Sequence, residues 1–213
     1  MLQIIKKVLR RTPLAWLVKA ARGRSILRQW QEQGRPVPPP PAFKQSVVRE
    51  YGKRFRLRNL IETGTYQGEM AAAQQRSFSR IVSIELDAEL FRKAEAQFAA
   101  ASHITILQGD SSQVLRQVVQ EVAGPCLFWL DAHYSGGITA RGTRETPIIQ
   151  ELEIVFSRNN ADDVILIDDA RCFTGTGDYP ALEELQRFVT EAQPHLKFEA
   201  ADDIIRLYTI EIQ

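Results

Sequence analysis

Cysteine is scarce in this 213-residue chain. Cys126 lies inside an apolar run and Cys172 in a loop, with no CxxC and no Cys/His spacing, which argues against both a zinc site and a disulfide framework. A reducing, cytoplasmic setting is the expectation. Long apolar runs are missing too. In the N-terminal part the longest, Leu14 to Val18, is far short of the ~20 residues a spanning helix needs, and no small-residue cleavage site follows an apolar core. A transmembrane span and a signal peptide are therefore not expected. No GxxxxGK[ST] occurs, which sets phosphoryl transfer aside, and no intact GxGxxG offers a dinucleotide pyrophosphate its seat. No internal repeat is visible.

What is present is an ordinary globular composition, 44% hydrophobic and 25% charged, enough to bury a substantial core. The net charge of +1 hides an asymmetry. Residues 1 to 35 carry nine basic side chains against Glu32 alone, a net +8, so the rest of the chain stands at −7. Leu2, Ile5, Leu9, Leu14, Leu17 and Val18 recur there at helical spacing between the basic residues, a basic amphipathic pattern interrupted by Pro13. Such a helix either packs on the body or on a second subunit in a homodimer, or is drawn to an anionic surface such as the inner face of a membrane. Pro36, Pro38, Pro39, Pro40 and Pro41 read as a stiff spacer. The expected organisation is a helical extension with its Pro-rich linker over 1–42 and a catalytic domain over 43–213. An acidic body without a basic aromatic stripe disfavours nucleic acid as a partner.

Beyond the spacer, β-prone and helical runs alternate. Strands are predicted over Arg58 to Thr63, Arg80 to Leu86, Ile104 to Leu107, Cys126 to Leu130 and Asp163 to Ile167. Helices are predicted over Glu69 to Phe78, Ala88 to Ala100, Ser112 to Val122, from Thr146-Pro147 onward, and over Tyr179 to Ala192. Two further β-prone runs, Lys197 to Ala200 and Ile204 to Ile210, have only Ala201, Asp202 and Asp203 between them, too few for a crossover helix, so an antiparallel hairpin is expected. The class is α/β, an open sheet that binds ligands beyond the carboxyl ends of its strands.

Acids and glycines cluster at those ends. Glu62-x-Gly64-x-x-x-Gly68 follows the first strand, with Thr65 and Tyr66 between the glycines. Glycines at a strand-to-helix turn let a ligand approach the backbone, and free N–H groups at the helix start accept a carboxylate. Glu85 ends the second strand, where Rossmann-like folds place an acid on ribose hydroxyls, and Gly109-Asp110-Ser111 follows the third. Five βα units and a terminal hairpin carrying these motifs resemble the class I S-adenosylmethionine (SAM) dependent methyltransferases. Tyr66 stands where the general motif has its middle glycine. The resemblance covers roughly residues 57 to 211. It implies a Rossmann-like seven-stranded mixed sheet of order 3-2-1-4-5-7-6, last strand antiparallel, flanked by helices. It also implies SAM as cofactor, with Asp110 on the adenine side.

The other half of the site is Asp131 after the fourth strand and Asp168-Asp169 after the fifth. Three acids at one edge repel unless a cation neutralises them, and oxygen ligands select Mg²⁺, Mn²⁺ or Ca²⁺; otherwise the Asp pair caps a turn and Asp131 stands at the transfer edge without metal. Metal-dependent O-methyltransferases of the catechol and macrocin types are similar here. They hold a divalent ion with an acid after the fourth strand and an acidic pair after the fifth, matching Asp131, Asp168 and Asp169. His133, where the macrocin pattern has an acid thought to be the base, reads as a general base beside Asp131, a metal ligand or an ordinary loop residue. The loop from Tyr134 to Thr146, with Arg141 and Arg144, and the loop from Arg171 to Tyr179 read as walls of an acceptor pocket. The expectation is a metal-assisted O-methyltransferase acting on a hydroxylated small molecule or glycan. Its rivals are a metal-independent methyltransferase and a non-catalytic binding protein on the same fold.

Overall fold

A computed structural model describes residues 13–131 and 146–210, with side chains described from residue 21 onward. Seven strands form one sheet: β1 (Asn59–Thr63), β2 (Arg80–Glu85), β3 (Ile104–Gln108), β4 (Cys126–Leu130), β5 (Val164–Ile167), β6 (Leu196–Ala201) and β7 (Ile204–Thr209). Their order is β3-β2-β1-β4-β5-β7-β6. The pairings among β1 to β5 are parallel, and β7 runs antiparallel to both β5 and β6, the hairpin as the short link predicts and the placement beside β5 as the resemblance implies. The hairpin turns on Asp202 and Asp203, both at positive φ (49° and 65°), the turn geometry whose twist matches the flanking strands.

The helices are α1 (Pro13–Glu32), α2 (Pro41–Arg54), α3 (Glu69–Gln74), α4 (Ala88–Phe98), α5 (Ser111–Glu121), α6 (Ile148–Phe156) and α7 (Leu182–Ala192). Successive strand residues alternate faces, so a strand that is apolar throughout feeds two cores. Leu60, Ile81, Leu127 and Leu166 pack with Val47, Val48 and Tyr51 of α2, Met70 of α3 and Phe98 of α4. Their neighbours Ile61, Val82, Phe128 and Ile165 pack with Leu115 of α5, Leu152 of α6 and Leu185 of α7. Each such side chain fully buried stabilises the sheet by about 1.5–3 kcal/mol.

Several boundaries differ from the sequence reading. The first crossover helix stops at Gln74 rather than Phe78, because Ser77 and Phe78 turn back on the Gln74 carbonyl before β2 begins. The last starts at Leu182 rather than Tyr179, since a bridge between Thr174 and Ala181 holds the preceding residues extended. Pro147, not Thr146, is the N-cap of α6, although Thr146 Oγ1 does accept from the Ile148 N–H at 3.3 Å.

The larger difference is α2. The proline run is not spacer to its end: Pro40 is an N-cap and Pro41 the first helical residue, a position where proline's missing N–H costs nothing. The helix so started lies against the sheet. It also receives the end of the extension, for Trp30 is buried, its ring 4.5 Å from that of Phe43, and its Nε1 donates to the Pro36 carbonyl at 2.7 Å. Arg35 completes the attachment with an ion pair to Asp202 at 2.5 Å. No described helix is long and apolar enough to cross a membrane.

At the edge opposite the site, Arg158 braces the sheet. Its guanidinium bonds Asp163 at 2.8 Å and the carbonyls of Val119, Val122 and Gly124, tying the end of α5 to the starts of β4 and β5.

Candidate active site

Strand register sets the site. Thr63 pairs with Leu130 and Leu130 with Ile167, while Glu85 pairs with Gln108, so Gly64, Asp131 and Asp168 leave the sheet side by side. The turn after β1 has Gly64, Tyr66 and Gly68 at positive φ (84°, 49° and 69°). A Cβ on Gly68 would stand 2.8 Å from the Phe98 ring, so this glycine is required by packing as well as by conformation.

The turn's amides are not open donors. Those of Gly64 and Thr65 reach the Ile84 carbonyl at 3.0 and 3.2 Å, and that of Gly68 reaches Thr65 at 2.8 Å. The Tyr66 N–H donates to Glu85 Oε2 at 2.7 Å, and Glu85 Oε1 accepts from Asp87 at 2.9 Å. At these four positions the turn offers close backbone approach, and the amides of Gly64, Thr65 and Tyr66 fasten it to β2. Burial pushes the Glu85 carboxyl up, against the backbone N–H groups of Asp87, Tyr66 and Leu86 that favour its charge.

Glu62 and Thr65 also serve the interior. Ser83 Oγ donates to Glu62 Oε2 at 2.6 Å and lies 2.6 Å from Thr65 Oγ1, and all three residues are buried. Burial, opposed by the Ser83 bond, pushes the Glu62 carboxyl up to about 8, with Asp131 and Glu85 adding in the same direction. Glu62 is therefore buried beneath the glycine turn with its proton held more tightly than a free carboxyl holds it, and its side chain supports the turn from the interior.

Asp110 is the N-cap of α5. Its Oδ1 accepts from the backbone and hydroxyl of Ser112 at 2.9 and 2.6 Å, and Ser111, buried, is the first helical residue. Beside them sits a residue the sequence reading passed over. Glu151 of α6 is 1% exposed, and its Oε1 has no hydrogen-bond partner among the described residues. Burial raises its carboxyl to about 7, against hydrogen bonds with Ser111 and Thr63. The signal was present, because Glu151 follows Ile148 by three residues and so shares the apolar face of its helix.

Carboxylate oxygens of Asp131, Asp168 and Asp169 lie within 4.8 Å of one another, Asp168 and Asp169 buried and Asp131 half-buried. Two cations already face them. Lys44 of α2 places Nζ 2.5 Å from Asp168 Oδ2 and 3.0 Å from Asp169 Oδ1. Arg171, in the short 3₁₀ turn Ala170–Cys172, bonds Asp169 Oδ1 at 2.6 Å and also pairs with Asp203. Arg171 thus stands against the acids rather than apart on a pocket wall. Burial, then the charges of Asp131 and Asp169, push the Asp168 carboxyl up to about 8 in spite of Lys44. A set of carboxylate oxygens this close suits a hard divalent cation, whose charge would relieve their mutual repulsion. His133, Tyr134, Arg141 and Arg144 lie outside the described residues.

No protein-family model and no curated protein matches this chain. Solved structures do. The SAH-bound methyltransferase PaMTH1 of Podospora anserina superposes with a TM-score of 0.59 at 15% identity, covering 94% of this chain and 97% of that one. The O-methyltransferase TomG from Streptomyces achromogenes, involved in tomaymycin synthesis and solved with SAM, gives 0.59 at 14% identity over 88% of this chain and 89% of that one. An O-methyltransferase from Bacillus cereus, solved with SAH, gives 0.55 at 16% identity, with 97% and 96% covered. The fold is that of the class I SAM-dependent methyltransferases.

Proposed function

We propose that this chain is a SAM-dependent O-methyltransferase, acting on a hydroxyl of a small molecule or saccharide, with a divalent cation at Asp131, Asp168 and Asp169. The observation that carries the reading is the alignment along one sheet edge of two different sets of acids. Glu85 ends β2 and Asp110 follows β3, and the carboxylate cluster follows β4 and β5. The first set suits a nucleoside, the second a cation and a reacting hydroxyl.

Glu85 has both oxygens anchored by backbone N–H groups, yet each carboxylate oxygen has a second lone pair, so it can accept from ribose hydroxyls without releasing the turn. Asp110 and Ser111 border the adenine side. Asp131, held where its N–H meets the Thr63 carbonyl at 3.1 Å, stands between the cofactor turn and the Asp pair. Asp131, Asp168 and Asp169 would hold a divalent ion, which would supply acidification of an acceptor hydroxyl and keep its oxygen in place for attack. The methyl group moves from the sulfonium to that oxygen, the hydroxyl proton passes to a base for which His133 is the candidate, and SAH and a methyl ether result. The net acidic body supports a small acceptor over nucleic acid.

The test is a screen of phenols, sugars and hydroxylated natural products with methyl-labelled SAM and Mg²⁺ or Mn²⁺. Label in an O-methyl group of at least one acceptor is the expected result. Transfer only to nitrogen or carbon acceptors would refute the O-methyl assignment.

A further inference from the structure

We infer that Lys44 is the built-in counter-ion of the acid cluster and competes with the divalent ion for it, so that ion binding requires its ammonium to leave Asp168 and Asp169. This rests on the reading of the cluster as a cation site. Lys44 lies 124 residues before Asp168 in sequence and reaches the cluster from a helix on one face of the sheet. Its side chain is 17% exposed, and its two bonds, 2.5 and 3.0 Å, end on oxygens of both members of the Asp pair.

The acid pair already carries other bonds. Asp168 Oδ1 already accepts from the Asp169 N–H at 2.8 Å, and Asp169 Oδ1 carries Arg171 as well as Lys44. A cation bound by both acids would share their oxygens with Nζ, and the two positive charges would repel at short range. One of the facing cations must move. Arg171 has a second anchor in Asp203, through both its guanidinium and its backbone N–H. The hydrogen bonds of Nζ are to Asp168 and Asp169.

Departure of the amine needs no movement of α2. Val47, Val48 and Tyr51 hold the helix in the core, while the four-carbon stem of lysine turns about single bonds toward solvent. Metal-free, the site is closed by its own cation; loaded, it frees a primary amine at the edge where an acceptor would enter. Because coupling between two ligands of one site is reciprocal, the amine weakens ion binding by the factor by which the ion weakens the ion pair.

The experiment titrates Mn²⁺ into the full chain and its Lys44→Met and Lys44→Gln variants, following free Mn²⁺ by electron paramagnetic resonance. Melting curves check folding, and SAM calorimetry is run on the same samples. Both variants are expected to bind Mn²⁺ about tenfold to hundredfold more tightly than the parent, the range of one charge-assisted hydrogen bond. In the parent, saturating Mn²⁺ should speed acetylation of Lys44 by acetic anhydride, read by peptide mass. Equal or weaker Mn²⁺ affinity in both variants with SAM binding intact would overturn the competition and leave the methyltransferase reading standing. Absence of Mn²⁺ binding in parent and variants alike would overturn the cation assignment with it. Loss of SAM binding in the folded parent would count against the methyltransferase reading itself.

Discussion

The Tyr66 N–H donates to Glu85 Oε2 at 2.7 Å, which fastens the turn after β1 to the end of β2. One carboxylate thereby shapes the turn after β1, and in the proposed reading it also accepts the ribose hydroxyls. Glu85→Ala should weaken SAM binding by about 1.5–3 kcal/mol, the range for hydrogen bonds to a charged group, and lower the melting temperature as the Tyr66 and Asp87 amides lose their acceptor. An unchanged dissociation constant by calorimetry would refute the ribose assignment.

Glu62 makes stability depend on pH. Its carboxyl is raised to about 8 in the folded state, chiefly by burial, from the ordinary 4.5. The folded chain therefore holds this proton more tightly than the unfolded chain, and the contribution is full below the unfolded value and lost as pH rises through the folded one. Glu151, raised to about 7, acts in the same direction. Glu62→Gln should flatten the fall in melting temperature between about pH 5 and 8, because the amide cannot ionise. Parallel melting curves for parent and variant across that range would contradict this assignment.

Arg158 offers a contrast far from the cofactor. Its side chain is 6% exposed and pairs with Asp163 while capping three carbonyls. Arg158→Met should cost about 3–5 kcal/mol of unfolding free energy, since Asp163 is left buried and unpaired. SAM affinity of the folded fraction should not change.

Removing the ion should separate chemistry from cofactor binding. Asp168→Asn is expected to lower Mn²⁺ affinity at least tenfold, while SAM, held near Glu85 and Asp110, binds with its affinity changed by less than about 0.5 kcal/mol. Exhaustive chelation should abolish turnover of the parent on an acceptor from the screen, and Mg²⁺ or Mn²⁺ should restore it. Undiminished turnover in the chelated enzyme would remove the ion from the mechanism.

Much of this architecture was legible because the signals are local. An apolar strand, a glycine or acid at its end and a helical period after it recur five times, and the three-residue gap from Ala201 to Asp203 leaves only a hairpin. The acids at the strand ends were legible for the same reason. Side-chain direction and long-range partners were not. Glu62 looks like a ligand contact in the motif, but it extends into the interior to meet Ser83, a residue of the neighbouring strand that carries no motif. Lys44 escaped because the helix bearing it was hidden behind the prolines. Pro41 followed by Phe43, Val47, Val48 and Tyr51 is a helix start with an apolar stripe, yet nothing within 20 residues of Lys44 points to Asp168. Only the folded chain, with its helix laid against the sheet, brings them together.

The most direct test of the central claim is a calorimetric titration of SAM into the full chain, with Glu85→Ala alongside. A saturable one-to-one isotherm, shifted to weaker binding in the variant, is the predicted result. No binding by the folded parent at millimolar SAM would contradict the account and leave a methyltransferase fold that holds no SAM.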